Sequence, residues 1–295
     1  MSLVRETGAG HNGRRVDKLN VNLPPSFAFS QASLQDYADC RRRFQLRYVL
    51  GVRWPGAGIG DEEWQRQAQL GSCFHQLIHQ HIMGLPSELL YARAVDWHLE
   101  SWWRAYLGAP PPGLPDAMRQ SEVHLSTPLG QHRLAARYDL LAIAPGQRAI
   151  IVDWKTSERR PTRAWLEGRW QTPVYRYVLA KAGAEMNGGH AFAPEQIELI
   201  YWFAKHAPQI ESFPYDLQQY RADEALLTEV THEIVACAQD FWTLTDDDSR
   251  CRYCTYRTLC GREPVDGQGD GAEPDEEASR FLLDLDLEQI AEIEF

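Results

Sequence analysis

"RAIIVDWKTS", residues 148–157, carries a fold signal and a chemical one together. Ile150, Ile151 and Val152 form a short apolar run rich in β-branched side chains, as in a strand buried on both faces. Side chains alternate along a strand, so Asp153 and Lys155 project together while Trp154 points away. A carboxylate and an ammonium thus emerge where a buried strand leaves the core. An Asp-x-Lys tripeptide alone is common, and a salt bridge at a strand end explains it equally well. Its neighbours decide the reading.

Upstream, "HRLAARYDLLAIA" (132–144) is a second strand-like run, joined to the first by "PGQ" at 145–147. So tight a turn predicts an antiparallel hairpin. Asp139 in the partner strand then lies near Asp153. Two converging carboxylates repel unless a divalent cation neutralises them. Oxygen ligands suit Mg²⁺ or Mn²⁺, which keep waters and bind substrate phosphates. A lysine beside such a cation orients or deprotonates an attacking water and stabilises charge developing at phosphorus.

Working outward, "SEVHLSTPL" (121–129) alternates and turns at Gly130, and "QIELIYWFA" (196–204) with "QIESFPY" (209–215) reads as another strand pair. Helical spacing covers 33–48, with Ser33 as N-cap, then 61–83 and 87–107. The breaker "GAPPPGLPD" (108–116) separates these helices from the strands. A further helix runs through "PTRAWLEGRWQTPVYRYVLAKAG" (161–183), with a restart or kink expected at Pro173. The last spans 216–244. Helices, a central sheet with one embedded helix, then a helix and cysteines make an α/β (α+β) fold with one core.

Two helical features bear on the carboxylates. His75 and His79 share a helix face in "GSCFHQLIHQH", with His81 elsewhere. A zinc pair is the rival reading, but no glutamate lies between them and no third ligand is evident. Gln171 and Tyr175 sit one turn apart on the helix after Asp-x-Lys, where an amide and a phenol can orient the lysine or touch a phosphate.

The cysteines form a second cluster. Cys251, Cys254 and Cys260 are spaced C-x₂-C-x₅-C, and a tetrahedral site wants a fourth ligand. Cys237 and Cys73 both look packed among apolar residues. Cys40, followed by "RRR", is the preferred fourth. Four thiolates take either Zn²⁺ or an iron–sulfur cluster, and spacing does not separate the two.

The net charge of −11 argues against a nucleic-acid partner until it is located. Residues 262–295 hold twelve acids and two arginines, which leaves the remainder near neutral. Arg41, Arg42, Arg43 and Arg47, with Arg250, Arg252 and Arg257, are the candidate basic surface. No run of eighteen apolar residues suggests a membrane span, and "MSLVRETGAGHNGRRVDKLN" lacks an apolar signal core. We therefore expect a cytoplasmic chain with a flexible leader over 1–25, a globular body over 26–262, and an acidic, largely disordered tail over 263–295.

Taken together, these motifs resemble the PD-(D/E)XK nuclease superfamily, specifically its RecB-like branch with an iron–sulfur cluster. That branch includes the exonuclease of CRISPR spacer acquisition and the AddB nuclease domain. The resemblance spans roughly 28–262. It rests on "FSQASLQDYADC" (29–40), His75, Asp139, "VDWKT", Gln171 with Tyr175, and the four cysteines. It departs from the pattern at Arg41, where a proline is often found. It implies a restriction-endonuclease-like central mixed sheet flanked by helices. It also implies a Mg²⁺ or Mn²⁺ site of His75, Asp139, Asp153 and the Trp154 main-chain carbonyl, with Lys155 catalytic and Gln171 and Tyr175 supporting. Cys40, Cys251, Cys254 and Cys260 would hold a 4Fe–4S cluster, with Zn²⁺ the alternative, clasping the N- and C-terminal segments together. Arg41, Arg42, Arg43, Arg250 and Arg252 would then form a gate for single-stranded DNA or DNA ends. The expected activity is exonucleolytic hydrolysis of DNA in recombination, repair or CRISPR adaptation. The alternative is a DNA-end-binding or assembly subunit of a helicase or integrase complex, docking a protein partner through its acidic tail.

Overall fold

The computed structural model describes residues 23–52, 62–94, 96–236, 242–251 and 254–262, with backbone alone for 62–65. The leader over 1–22, Cys237, Arg252 and the acidic tail lie outside the described residues.

The hairpin read from the sequence forms the centre of the sheet. Strands β3 (His132–Ala144) and β4 (Arg148–Lys155) pair antiparallel from Ala144↔Arg148 to Leu140↔Val152. Their turn needs a left-handed residue, which Gly146 supplies at φ 76°. Strand β2 (Met118–Leu129) covers the other edge of β3 along its length. The two-residue β1 (Ala28–Phe29) joins β3 in parallel at Arg133 and Leu134, so β1 and β4 share one edge of β3. Beyond β4, β5 (Ile197–Phe203) runs parallel and β6 (Ile210–Pro214) returns antiparallel. The sheet is therefore mixed, with six strands.

Helices cover both faces, as a largely apolar sheet requires. One face buries Ile151, Leu141, Leu199 and Tyr201 against α1 (Gln31–Asp39), α7 (Gln171–Ala182) and α8 (Leu217–Ala236). The other buries Ile150, Val152, Trp154 and Trp202 against α3 (Glu62–Ile82) and α5 (Trp97–Gly108), where Phe74, Trp102 and Trp103 fill the layer. Trp154 thus points away from Asp153, as strand alternation demands. Among the described residues, no helix is long and apolar enough to cross a membrane.

Three helical expectations are corrected. The run over 33–48 begins earlier, because Ser30 is the N-cap and Ser33 closes a capping box with it. It then breaks at Cys40, whose extended backbone (φ −162°, ψ 109°) separates α1 from α2 (Arg41–Phe44) and a π turn at Gln45–Val49. The run over 87–107 divides into α4 (Ser87–Tyr91) and α5. The run over 161–183 divides into α6 (Arg163–Glu167) and α7 around Gly168. Pro173 causes no kink, because it occupies the first turn of α7, where its missing N–H has no intrahelical partner to lose.

Candidate active site and cysteine clasp

The β3–β4 ladder ends at Leu140↔Val152, and there the strands part. The next residues across the gap are Asp139 and Asp153. The Asp139 side chain replaces the missing ladder bond, its Oδ2 accepting from the Trp154 backbone N–H at 2.8 Å. Strand β4 continues beside β5 to Lys155↔Phe203, so Asp153 and Lys155 stay anchored in the sheet past the point where β3 leaves. Strand β3 also changes face at this point. Leu134, Ala136 and Tyr138 face α7, and so do Leu141 and Ile143, an offset of one residue in the alternation.

Helix α3 brings His75 to the notch. Its Nδ1 lies 3.2 Å from Asp139 Oδ1, and its Nε2 lies 3.0 Å from the Trp154 carbonyl oxygen. Two acceptors around one ring call for a proton on both nitrogens. Burial opposes that charge, but Asp139, then Asp153 and Glu122, outweigh it and raise the His75 pKa. Asp139 responds in the opposite sense: burial raises its pKa, and His75, the Trp154 N–H and Lys155 together bring it below the ordinary value.

Asp153 is tied to the other side of the notch. Gln171 Nε2 donates to its Oδ1 at 2.7 Å, and Lys155 Nζ lies 2.9 Å from its Oδ2. Lys155 Nζ also donates to Gln171 Oε1 at 2.9 Å. Gln171 opens α7 and so binds both Asp-x-Lys side chains at once. Burial pushes the Asp153 carboxyl up to about 6, with Lys155 pulling it down and Asp139 pushing it up. Tyr175, one turn further, is buried with its ring 5.1 Å from that of Tyr138, whose hydroxyl donates to the Tyr175 carbonyl. His79 does not join His75, because its Nδ1 lies 2.7 Å from Ser121 Oγ. His81 pairs with Tyr106.

One acid at the notch was not among the sequence candidates. Glu122 in β2 offers a carboxylate oxygen that lies, with atoms of His75 and Asp139, in a set all within 4.8 Å of one another. No other His, Cys, Asp or Glu trio among the described residues is as close. The sequence carried no signal for it, because a charged residue in an alternating strand reads as solvent-facing.

Cys40 is brought near Cys251, Cys254 and Cys260, which follow it by more than two hundred residues. Cys40 and Cys254 are buried, while Cys251 and Cys260 are partly so. Burial raises the pKa of Cys251, Cys254 and Cys260, and each also feels the charge of Cys40, so one thiol cluster draws on both chain ends. Cys254 and Tyr256 pack on Leu46, and the Tyr256 hydroxyl donates to the Val52 carbonyl at 3.0 Å. Arg262 donates to Cys251 Sγ at 3.0 Å. Among the neighbouring arginines, Arg42 donates to Gln45, and three others are matched by acids. Arg43 lies 2.7 Å from Asp36 and 2.9 Å from Asp39, Arg41 pairs with Glu233, and Arg250 lies 3.1 Å from Asp39. Burial opposes the Arg43 charge, yet Asp36 and Asp39 raise its pKa overall.

The pattern that defines the PD-(D/E)XK nuclease superfamily matches residues 28–261. No curated protein matches the chain. Among solved structures, SSO0001 is 15% identical, covering 79% of this chain and 85% of its own, with a TM-score of 0.36. An exonuclease candidate from Eubacterium rectale is 10% identical, covering 70% of this chain and 79% of its own, with a TM-score of 0.44.

Proposed function

From the premise that this chain belongs to the PD-(D/E)XK nuclease superfamily, we propose that it is a metal-dependent deoxyribonuclease acting on single-stranded DNA or DNA ends. One observation carries the reading. Asp139, Asp153, Lys155, His75 and the Trp154 carbonyl converge where β3 and β4 part, with both carboxylates taken largely out of water. Once His75 gives up one of its two ring protons, the donor set of one imidazole, two carboxylates and one carbonyl fits a hard divalent cation such as Mg²⁺ or Mn²⁺. Such a cation supplies Lewis-acid polarisation of a phosphate and a lower pKa for bound water.

The chain's own groups do the positioning. Asp139 is fixed by His75 and the Trp154 N–H, so its orientation is set before any substrate arrives. Gln171 hydrogen-bonds Lys155 Nζ and the Asp153 carboxylate together, so both are held in place at the notch. From there Lys155 aligns the attacking water and offers positive charge to the phosphate oxygens in the transition state.

The four cysteines fit a structural cluster that fastens the C-terminal segment to the break after α1. The family resemblance favours 4Fe–4S there, with Zn²⁺ the alternative that four thiolates also fit. Arg41, Arg43 and Arg250 spend much of their charge on Asp36, Asp39 and Glu233, so we assign them first to this clasp and second to DNA.

Metal-depleted protein restored with Mn²⁺ should degrade end-labelled single-stranded DNA, and chelator should stop it. Absence of hydrolysis with Mg²⁺ and Mn²⁺ on single- and double-stranded substrates would overturn the proposal.

A further inference from the structure

Glu122 gives the notch a third carboxylate, and its placement is built rather than incidental. In the β2–β3 register Ser121 faces Leu140 and Val123 faces Tyr138, so Glu122 stands directly across from Asp139. Among the described residues it is the one non-glycine with a positive φ, 57°. That left-handed residue is disfavoured for an L side chain, and it kinks β2 where β3 changes face. Helix α3 braces the kink: His75 reaches the notch, and His79, one turn on, holds Ser121 next to Glu122. The result is the close His75–Glu122–Asp139 trio, an imidazole with two carboxylates. Arg137 holds Glu122 meanwhile, with Nε and Nη2 each 2.6 Å from Oε2.

Resting on the metal site proposed above, and going beyond it, we propose that Glu122 is a further ligand of the divalent cation, directly or through one of its waters. Arg137 competes with that cation for the same carboxylate. The site is then a two-sided clamp around Asp139: His75 and Glu122 close it from one side, while Asp153, held by Lys155 and Gln171, closes it from the other.

A purely structural salt bridge between Glu122 and Arg137 makes its two ends equivalent, because losing either breaks the same pair. Ligation makes them opposite. Removing Glu122 takes away a ligand, whereas removing Arg137 takes away a competitor.

Mn²⁺ titration calorimetry on the full chain without DNA separates the two, using wild type, Glu122→Gln, Arg137→Gln and Asp139→Asn. We expect Glu122→Gln to weaken Mn²⁺ binding roughly tenfold. Arg137→Gln should tighten it. Unchanged affinity in Glu122→Gln, with binding still lost in Asp139→Asn, would overturn the role of Glu122 and leave the nuclease reading standing. No Mn²⁺ binding by wild type, or none that depends on Asp139, would overturn the metal site itself. Should Glu122→Gln fail to fold, Arg137→Gln carries the test, and unchanged or weakened Mn²⁺ binding there would overturn the proposal.

Discussion

The notch and the clasp both gather metal-ligating side chains, yet they treat charge in opposite ways. At the clasp, charge is largely settled within the protein. Asp36 and Asp39 answer Arg43, and Arg262 answers Cys251. At the notch, two aspartates and a glutamate crowd around one lysine, one histidine and one arginine at the end of the β3–β4 ladder. Burial there pushes the Asp153 carboxyl up to about 6 in spite of Lys155, the kind of perturbed carboxyl that clusters at functional sites. On the proposed reading the soft thiol donors fasten the chain, and the hard oxygen donors serve the chemistry.

The sharpest way to break that contrast is at Asp139. Asp139→Asn should lower kcat on the order of a thousandfold, because it removes a ligand and the anchor of His75 together. Rate measurements at several Mn²⁺ concentrations check this. Gln171→Ala comes next, with about a 10–100-fold loss, since it frees Lys155 and Asp153 without removing either. A loss carried by kcat rather than KM would mark Gln171 as a positioning residue. At the clasp, Cys254→Ser should abolish iron content and visible absorbance and lower the melting temperature, while the surviving folded fraction still hydrolyses DNA. Full loss of specific activity in that folded fraction would tie the clasp to catalysis and erase the contrast.

The smallest effect is on stability. Folding raises the Asp153 pKa from 3.8 to about 6, so the folded state prefers this carboxyl protonated. The resulting penalty is absent below the unfolded value, grows between about pH 4 and 6, and is complete above 6. In chelator, Asp153→Asn should therefore melt higher than wild type at pH 7.5, by at most about 2–3 kcal/mol. The gain should vanish below pH 4. A variant that melts lower at pH 7.5 would show that Lys155 fully compensates the buried charge.

How much of this was legible in the sequence follows the physics of each signal. The hairpin and the shared face of Asp153 and Lys155 follow from alternation and a Pro-Gly turn, which are local. The embedded apolar strand Ile197–Phe203 announced itself the same way. The break at Cys40 was not readable, because "LQDYADCRRRF" keeps helical spacing across it. The segment after the break is held from afar, with Leu46 packed on Cys254 and Tyr256, more than two hundred residues later. Splitting of the helices around Gly168 likewise answers to tertiary contacts, with Gln171 drawn to Asp153 and Lys155. Glu122 was hidden for a different reason. A charged residue in an alternating strand reads as solvent-facing, and only the register opposite Asp139 brings it to the notch.

On the proposed reading, the Asp-x-Lys strand end is a hydrolytic centre with Lys155 acting on the reacting groups. Single-turnover hydrolysis of end-labelled single-stranded DNA by Lys155→Ala at saturating Mn²⁺ tests it most directly. We predict that the variant binds Mn²⁺ and DNA but cleaves on the order of a thousandfold more slowly. Cleavage at the wild-type rate would contradict it.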